Sequence, residues 1–274
     1  MGDPVSVSGK YPELIEVMRY IRDNLHEPLT VGELSRYAAY SPYHFIRIFK
    51  EQTGLTPQAW IASLRLQRAK ELLMSTDLPV RDIALELGYQ SLGTFTTRFG
   101  RSVGLTPAGF RESAHWAAGH LELLAEAAVW RARREPAFGP RVEGSLRTEV
   151  PFDGIILVGL FGKPVPDGLP DYGTLVRAGE SFRFSGVKPG VYHLLATTVS
   201  WDMRTRDLLL PDMTLRARSA TPIVVRPGER TPHQELTLRP PRFDDPPILV
   251  SLPLLMRLFY LQQTGQGGGL PGPR

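Results

Sequence analysis

Two textures of apolar and polar positions divide the chain. Up to about Arg134 apolar residues recur at helical spacing and proline is confined to segment starts. From about Glu135 onward proline and glycine recur every few residues, and short β-branched and aromatic runs replace the helical period. The change falls in Glu135-Pro-Ala-Phe-Gly-Pro-Arg141, which predicts a boundary near residues 135–143. Within the helical part, Thr30 with Glu33 three residues on has the pattern of a capping box. Leu34 and Ala38 then face inward, and this helix ends near Ala39-Tyr40. Ser41 is placed to cap a second helix with Pro42 at its first position, where no N–H is needed. Phe45, Ile48 and Phe49 form one apolar stripe on it, and Gly54 suits the residue just past its end. Thr56-Pro57 restarts a long helix to about Met74, with Trp60, Leu64, Leu72 and Leu73 apolar.

The pattern then repeats. Leu29-Thr-Val31 aligns with Leu78-Pro-Val80, Leu34 with Ile83 and Tyr40 with Tyr89 at a spacing of 49; Phe45 and Phe49 align with Phe95 and Phe99, and Gly54-Leu-Thr-Pro57 with Gly104-Leu-Thr-Pro107, at a spacing of 50. Each copy reads as a short helix, a tight turn and a second helix, over about 30–54 and 79–104, with 56–74 as the helix between them. Two helices joined by such a turn form a helix-turn-helix, whose second helix fits a DNA major groove. The alternative is an ordinary bundle with a duplicated hairpin. What argues against it is the exposed side of the first candidate recognition helix. With Phe45, Ile48 and Phe49 buried, Tyr43, Ile46, Arg47 and Lys50 share the opposite side. That set suits phosphate, guanine-edge and thymine-methyl contacts.

Over roughly residues 12–113 the chain resembles the DNA-binding domain of the AraC/XylS regulators. The most specific stretch is Ile83-Ala-Leu-Glu-Leu-Gly-Tyr-Gln-Ser91, followed by Phe95-Thr-Thr-Arg-Phe99, Gly104-Leu-Thr-Pro107 and Phe110-Arg111. The resemblance implies two helix-turn-helix units on one stiff helix, both entering adjacent major grooves of double-stranded DNA, with RNA polymerase as a further partner. It places the groove-facing residues at Tyr43, Ile46 and Arg47 in the first unit, with the cap Ser41 and Lys50 beside them. In the second they fall around Leu92, Gly93, Thr96 and Thr97, with Ser91, Thr94, Arg98 and Arg101 nearby. Here the sequence departs from the pattern: Leu, Gly and Thr stand where basic or amide side chains are common, and Gly100 where a basic residue is. The expectation is therefore that the first unit dominates base reading and the second holds phosphate through Arg98 and Arg101.

Residues 114–142 read as a helical connector carrying Trp116, Leu121, Leu124 and Ala128, with a basic end at Arg131, Arg133 and Arg134. Beyond it, strands are predicted at Ser145–Val150, Ile155–Phe161, Ser181–Phe184, Gly190–Val199, Pro222–Arg226 and Gln234–Leu238, separated by Pro-Gly-type turns. The fold class expected is thus multi-domain α plus β: an all-α double helix-turn-helix domain followed by an antiparallel β-sandwich over 143–240. The run from Gly179 to Tyr192 is similar to prealbumin-like, carboxypeptidase-regulatory-type sandwiches, which implies a fold without an activity. Within 241–274, the run from Arg239 to Pro247 reads as an extended linker. The segment Leu252–Leu261 follows as an apolar helix that packs on the chain's own core or on a second copy, and a flexible tail closes the region.

Charge and composition add little to this picture. The chain has 274 residues and a net charge of +4, spread too evenly to identify a partner. There is no cysteine, which removes disulfides and thiol chemistry, including thiol-based alkyl transfer by a repair enzyme. No cofactor or metal site is expected: the histidines lack ligand spacing, and His193 reads as a structural side chain. Asp202 and Asp207, with Trp201, Arg204 and Arg206, read as a solvated loop. No catalytic set is visible, no segment is long and apolar enough to enter a membrane, and the expected location is cytoplasmic. A regulator with a C-terminal sensory or interaction domain is the leading reading. A small-molecule effector, a homodimer, a fused enzyme and a purely structural dimerisation module stay open.

Overall fold

The computed structural model describes residues 10–126, 130 and 139–264. The basic end at Arg131, Arg133 and Arg134, Ala128 and the tail from 265 lie outside the described residues. The N-terminal part is helical: α1 (Glu13–Asp23), α2 (Val31–Tyr37), α3 (Pro42–Thr53), α4 (Pro57–Ser75), α5 (Val80–Glu86), α6 (Leu92–Val103) and α7 (Pro107–Glu112). Local chemistry sets most of these ends. The Thr30 hydroxyl accepts from the Glu33 N–H at 3.2 Å while the Glu33 carboxylate accepts from the Thr30 N–H at 2.9 Å. Ser41, Thr56, Ser91 and Thr106 cap α3, α4, α6 and α7 one way only, each hydroxyl accepting from the N–H three residues on. Gly54 and Gly104 close α3 and α6 at φ +83° and +86°, a conformation that glycine adopts without penalty. The helix α1 was not among the expected elements. Its Leu14, Ile15, Val17, Met18 and Ile21 form one buried face.

One rod serves two cores. Trp60, Ile61 and Leu64 of α4 join Phe45, Ile48 and Phe49 in the first, while Leu66, Ala69, Leu72 and Leu73 join Phe95, Phe99 and Phe110 in the second. The rod has 19 residues, a length of roughly 28 Å.

A 3₁₀ turn (Ser113–His115) and α8 (Ala117–Ala125) lead to the strands β1 (Arg141–Thr148), β2 (Gly154–Phe161), β3 (Tyr172–Arg177), β4 (Phe182–Ser185), β5 (Gly190–Ser200), β6 (Arg216–Arg218), β7 (Ile223–Val225) and β8 (Gln234–Leu238). They form a three-stranded sheet β4-β1-β8 and a five-stranded sheet β3-β2-β5-β6, in which β7 also pairs with β5. Side chains of both sheets fill one core, among them Val142, Phe182 and Leu238 from the first and Ile156, Val158 and Leu194 from the second.

Several expectations need correction here. The sheets are not wholly antiparallel, because β1 and β8 pair in parallel. These strands lie at opposite ends of the domain and no hairpin turn constrains their direction. The expected strand at 145–150 begins earlier, at Arg141. The strands β3 and β6 were not expected; β6 is only Arg216-Ala217-Arg218 and β3 carries Gly173 as its second residue, so neither shows a clean alternation. The loop read around Asp207 contains a short helix, α9 (Thr205–Leu209), where Asp207 accepts the Arg204 N–H at 3.1 Å and Leu208 and Leu209 are buried.

The run Arg239–Pro247 is a strap, not a free linker. Arg239 and Asp245 form a two-pronged ion pair at 2.7 and 2.9 Å. Phe243 enters the core of the first helix-turn-helix unit, and the Arg22 guanidinium lies 4.0 Å from its ring centre. Gln52 donates to Asp244 at 2.6 Å. The final helix α10 (Leu252–Thr264) buries Leu252, Pro253, Met256 and Phe259 within the same chain, in a cluster shared with α8 and α9.

Candidate nucleic-acid interface

The two candidate recognition helices, α3 and α6, are held from behind and at their C-terminal ends. Phe45 packs at a tilt on Phe49, which meets Trp60 edge to face; Phe95 packs at a tilt on Phe99, which meets Phe110 edge to face. The last carbonyls of a helix have no intrahelical donor, and the C-terminal part supplies donors for α6. The Gly168 N–H donates to the Ser102 carbonyl at 2.8 Å and the Ser251 N–H to that of Val103 at 2.9 Å. At the end of α3, the Arg218 guanidinium packs so closely over Gly54 that a Cβ there would collide with it. The matching Gly104 sits under Leu254 and Leu169. These contacts leave the outward faces and N-terminal turns of α3 and α6 uncovered.

On α3, Tyr43 is 83% exposed. Arg47 and Lys50 are also exposed, and Ile46 is half-buried at the edge of the stripe. Residues 43, 46, 47 and 50 share one helical face by spacing. Arg47 reaches Glu51 at 3.4 Å, but Glu51 is held more closely by Lys10 at 2.7 Å and by the Tyr11 hydroxyl at 3.1 Å. The Lys10 hydrogen bond holds the Glu51 carboxyl below its ordinary range. A solvent-exposed pair as long as Arg47–Glu51 is worth little, so the guanidinium is available for exchange with a phosphate or a base edge. The Ser41 hydroxyl accepts from the His44 N–H at 3.4 Å; its own proton stays free to donate.

On α6, Leu92, Gly93, Thr94, Thr97, Arg98 and Arg101 are exposed. Ser91 caps the helix by accepting from the Thr94 N–H at 3.4 Å. The placement of Thr96 departs from the expectation. Its hydroxyl donates back to the carbonyls of Leu92 and Gly93 at 3.0 and 3.1 Å, and the side chain is half-buried. Its donor is spent on its own helix, leaving Thr97 as the outward threonine of that turn.

What the sequence reading missed is the surroundings. Lys10, Tyr11 and α1 brace α3 through Glu51 and through the Tyr40 hydroxyl, which donates to Glu13 at 2.5 Å. The signals were present as the apolar face of α1 and an aromatic pair, but their partners lie 27 to 41 residues away. Among the described residues no group of His, Asp and Glu is arranged to hold a metal ion, and no helix is long and apolar enough to cross a membrane.

Comparison with known proteins finds likeness in the helical part of the chain. A family profile described as "Helix-turn-helix domain" matches residues 34–113. An uncharacterized HTH-type transcriptional regulator of Bacillus subtilis, YobQ, is 38% identical over 94 residues, 34% of this chain and 39% of that protein. The bifunctional transcriptional activator/DNA repair enzyme AdaA of the same organism is 36% identical over 96 residues, covering 35% and 46%. A solved DNA-binding domain of the global transcriptional factor AdpA, in complex with a target DNA, is 32% identical, covers 39% of this chain and 95% of that one, and has a TM-score of 0.36. The chain thus spans less than half the length of these curated relatives.

Proposed function

Residues 34–113 are a helix-turn-helix domain of the AraC type, and from that premise we propose that the chain is a sequence-specific DNA-binding transcription regulator that inserts α3 and α6 into successive major grooves. The observation that carries this reading is the outward stripe Tyr43, Ile46, Arg47 and Lys50 over a buried Phe45–Ile48–Phe49 face. The buried aromatic pair recurs, as Phe95 and Phe99, at the far end of α4 in a second helix of the same length. A rod of roughly 28 Å sits close to the DNA repeat of roughly 34 Å, which supports entry from one side of the duplex. The first unit reads bases through Arg47 and Tyr43. The second grips phosphate through Arg98, Arg101 and the Ser91 and Thr94 hydroxyls. We read the C-terminal sheets as a prealbumin-like sandwich whose role is sensing or interaction rather than catalysis. RNA polymerase and a second copy are its proposed partners.

Selection of bound duplexes from a random pool, followed by affinity against salt, tests this. The expected result is an enriched motif and a steep salt response, with log K falling about 0.9 per phosphate contact. Arg47→Ala should relax preference at one base position by about 1–3 kcal/mol. Arg98→Ala should instead weaken all sequences alike and reduce the salt slope by about one contact. No enriched motif and a flat salt response would return the helical domain to an ordinary bundle. If Thr97→Ala abolished preference while Arg47→Ala did not, the roles of the two units would be reversed.

A further inference from the structure

The outer face of the five-stranded sheet is covered in two different ways. Along β2 the pleat sends Ile156, Val158 and Leu160 into the inter-sheet core, and Ile155, Leu157, Gly159 and Phe161 to the other side. One half of that outer face, with Ile155 and Val199, is sealed by α8, α9 and α10, and Leu157 and Leu175 stand at its border with the other half. The other half is roofed by the strap and by the last turn of α3, and a cavity of about 380 Å³ remains between them. That volume lies in the range of small-molecule sites.

The floor of this cavity is formed by β2 and β3. Gly159 of β2 and Gly173 of β3 face each other in register, and both line it. At Gly159 a Cβ would collide with the Phe161 ring and with Pro170, so the sheet's own packing requires this glycine, and the pair presents bare backbone to the cavity. Around the pair the walls are apolar, with Leu195, Leu175, Ile248 and Leu255.

The charges at its rim are unequal in their commitments. Each lining carboxylate is taken: Glu51 by Lys10 at 2.7 Å, Asp245 by Arg239 at 2.7 Å and Asp244 by Gln52 at 2.6 Å. Arg216 donates to the Pro211 and Asp212 carbonyls at 3.0 and 3.1 Å. Two guanidinium groups remain. Arg218 has one carbonyl partner, Pro164, at 3.3 Å, and the half-buried Arg242 makes no side-chain hydrogen bond among the described residues. A planar guanidinium with open donors selects a carboxylate.

We propose that this cleft binds a small amphipathic carboxylate, its apolar body over the Gly159–Gly173 rung and its head on Arg242 and Arg218. The site lies between the reader and the sheets, and its chemistry stands independently of DNA binding.

Titration calorimetry on the full chain with octanoate, octanol and octylamine tests it. Octanoate should bind saturably, with the alcohol and the amine at least tenfold weaker. Arg242→Ala should bring octanoate down to the affinity of octanol. Gly173→Leu, which fills the floor, should abolish octanoate binding while thermal unfolding stays cooperative. If that variant does not fold, Arg242→Ala decides alone, since its side chain holds nothing else in place. Equal, unsaturable uptake of all three probes would overturn the proposal, as would octanoate binding that Arg242→Ala leaves unchanged. DNA affinity measured on the same samples keeps the two readings apart: a null ligand result with DNA binding intact removes the cleft and spares the reader.

Discussion

The two helix-turn-helix units begin from one sequence pattern and end with different surfaces. At the spacing of 50, the stripe Tyr43, Ile46, Arg47 and Lys50 of the first becomes Gly93, Thr96, Thr97 and Gly100 in the second. Arg98 stands where Ile48 stands, exposed in one unit and fully buried in the other, and Arg101 replaces Glu51. The aromatic spine is kept in both, while the outward residues change from long and specific to small and flanked by arginines. Burial constrains the spine because each ring is packed on the next, whereas the outward face is constrained only by what it meets. Support differs as well. The first unit is braced by side chains brought from far away, Lys10, Tyr11 and Phe243 among them. The second is braced by backbone hydrogen bonds from Gly168 and Ser251.

The sharpest way to break this comparison is to remove the strap's anchor. Phe243→Ala should cost about 3 kcal/mol, the low end for a buried Phe, since the ring fills the first core and stacks under Arg22. Hydrogen exchange should then show α1–α3 losing protection before α5 and α6. Equal loss in both units would mean that the two cores unfold as one.

The rod between the units offers a second test. Lys70 is fully buried on α4, donates to the Ile248 carbonyl at 3.0 Å, and lies near Asp212, Glu71 and the Phe110 ring. Burial lowers its pKa to about 7, against the pull of Asp212 and Glu71. In that case the unfolded chain binds more protons than the folded one above pH 7, so stability rises with pH. Between pH 7 and 9 the slope should approach about 1.4 kcal/mol per pH unit, and Lys70→Met should flatten it in denaturant titrations. A Lys70→Met slope equal to that of the parent would show that the amine is solvated in the folded state.

The smallest effect concerns the turns. Ala39 adopts φ +57° where the second copy has Gly88 at φ +77°. A left-handed alanine costs about 1 kcal/mol, so Ala39→Gly should raise stability slightly, offset in part by the greater freedom of glycine in the unfolded chain. Gly88→Ala should lower it by about 1 kcal/mol. Melting curves of the two variants should move in opposite directions.

The helical half was readable because its information is local. The Thr30–Glu33 cap, the Ser41-Pro42 start, the Gly54 stop and the Phe45–Phe49 stripe each lie within a few residues of one another, so spacing alone places them. The candidate interface was legible for the same reason, down to which side of α3 faces out. Thr96 was not, because whether a hydroxyl turns to a groove or back to its own carbonyls is a rotamer choice that no spacing reports. The strap was hidden by composition: Pro-Pro flanks look like a linker, yet Phe243 and Asp244 are seated by partners at a separation of 192 residues in the case of Gln52.

By itself, the order of residues determined the duplicated hairpins, their caps and the stiff helix between them, since these follow from hydrogen bonds and periodicity within one or two turns. Only the folded chain decided that β1 and β8 run parallel, that the C-terminal strap locks onto α1 and α3, and that a glycine rung lies under a roof. Those features depend on which surfaces meet after distant segments collapse, and apolar burial, being non-directional, leaves that choice to the packing of the whole molecule.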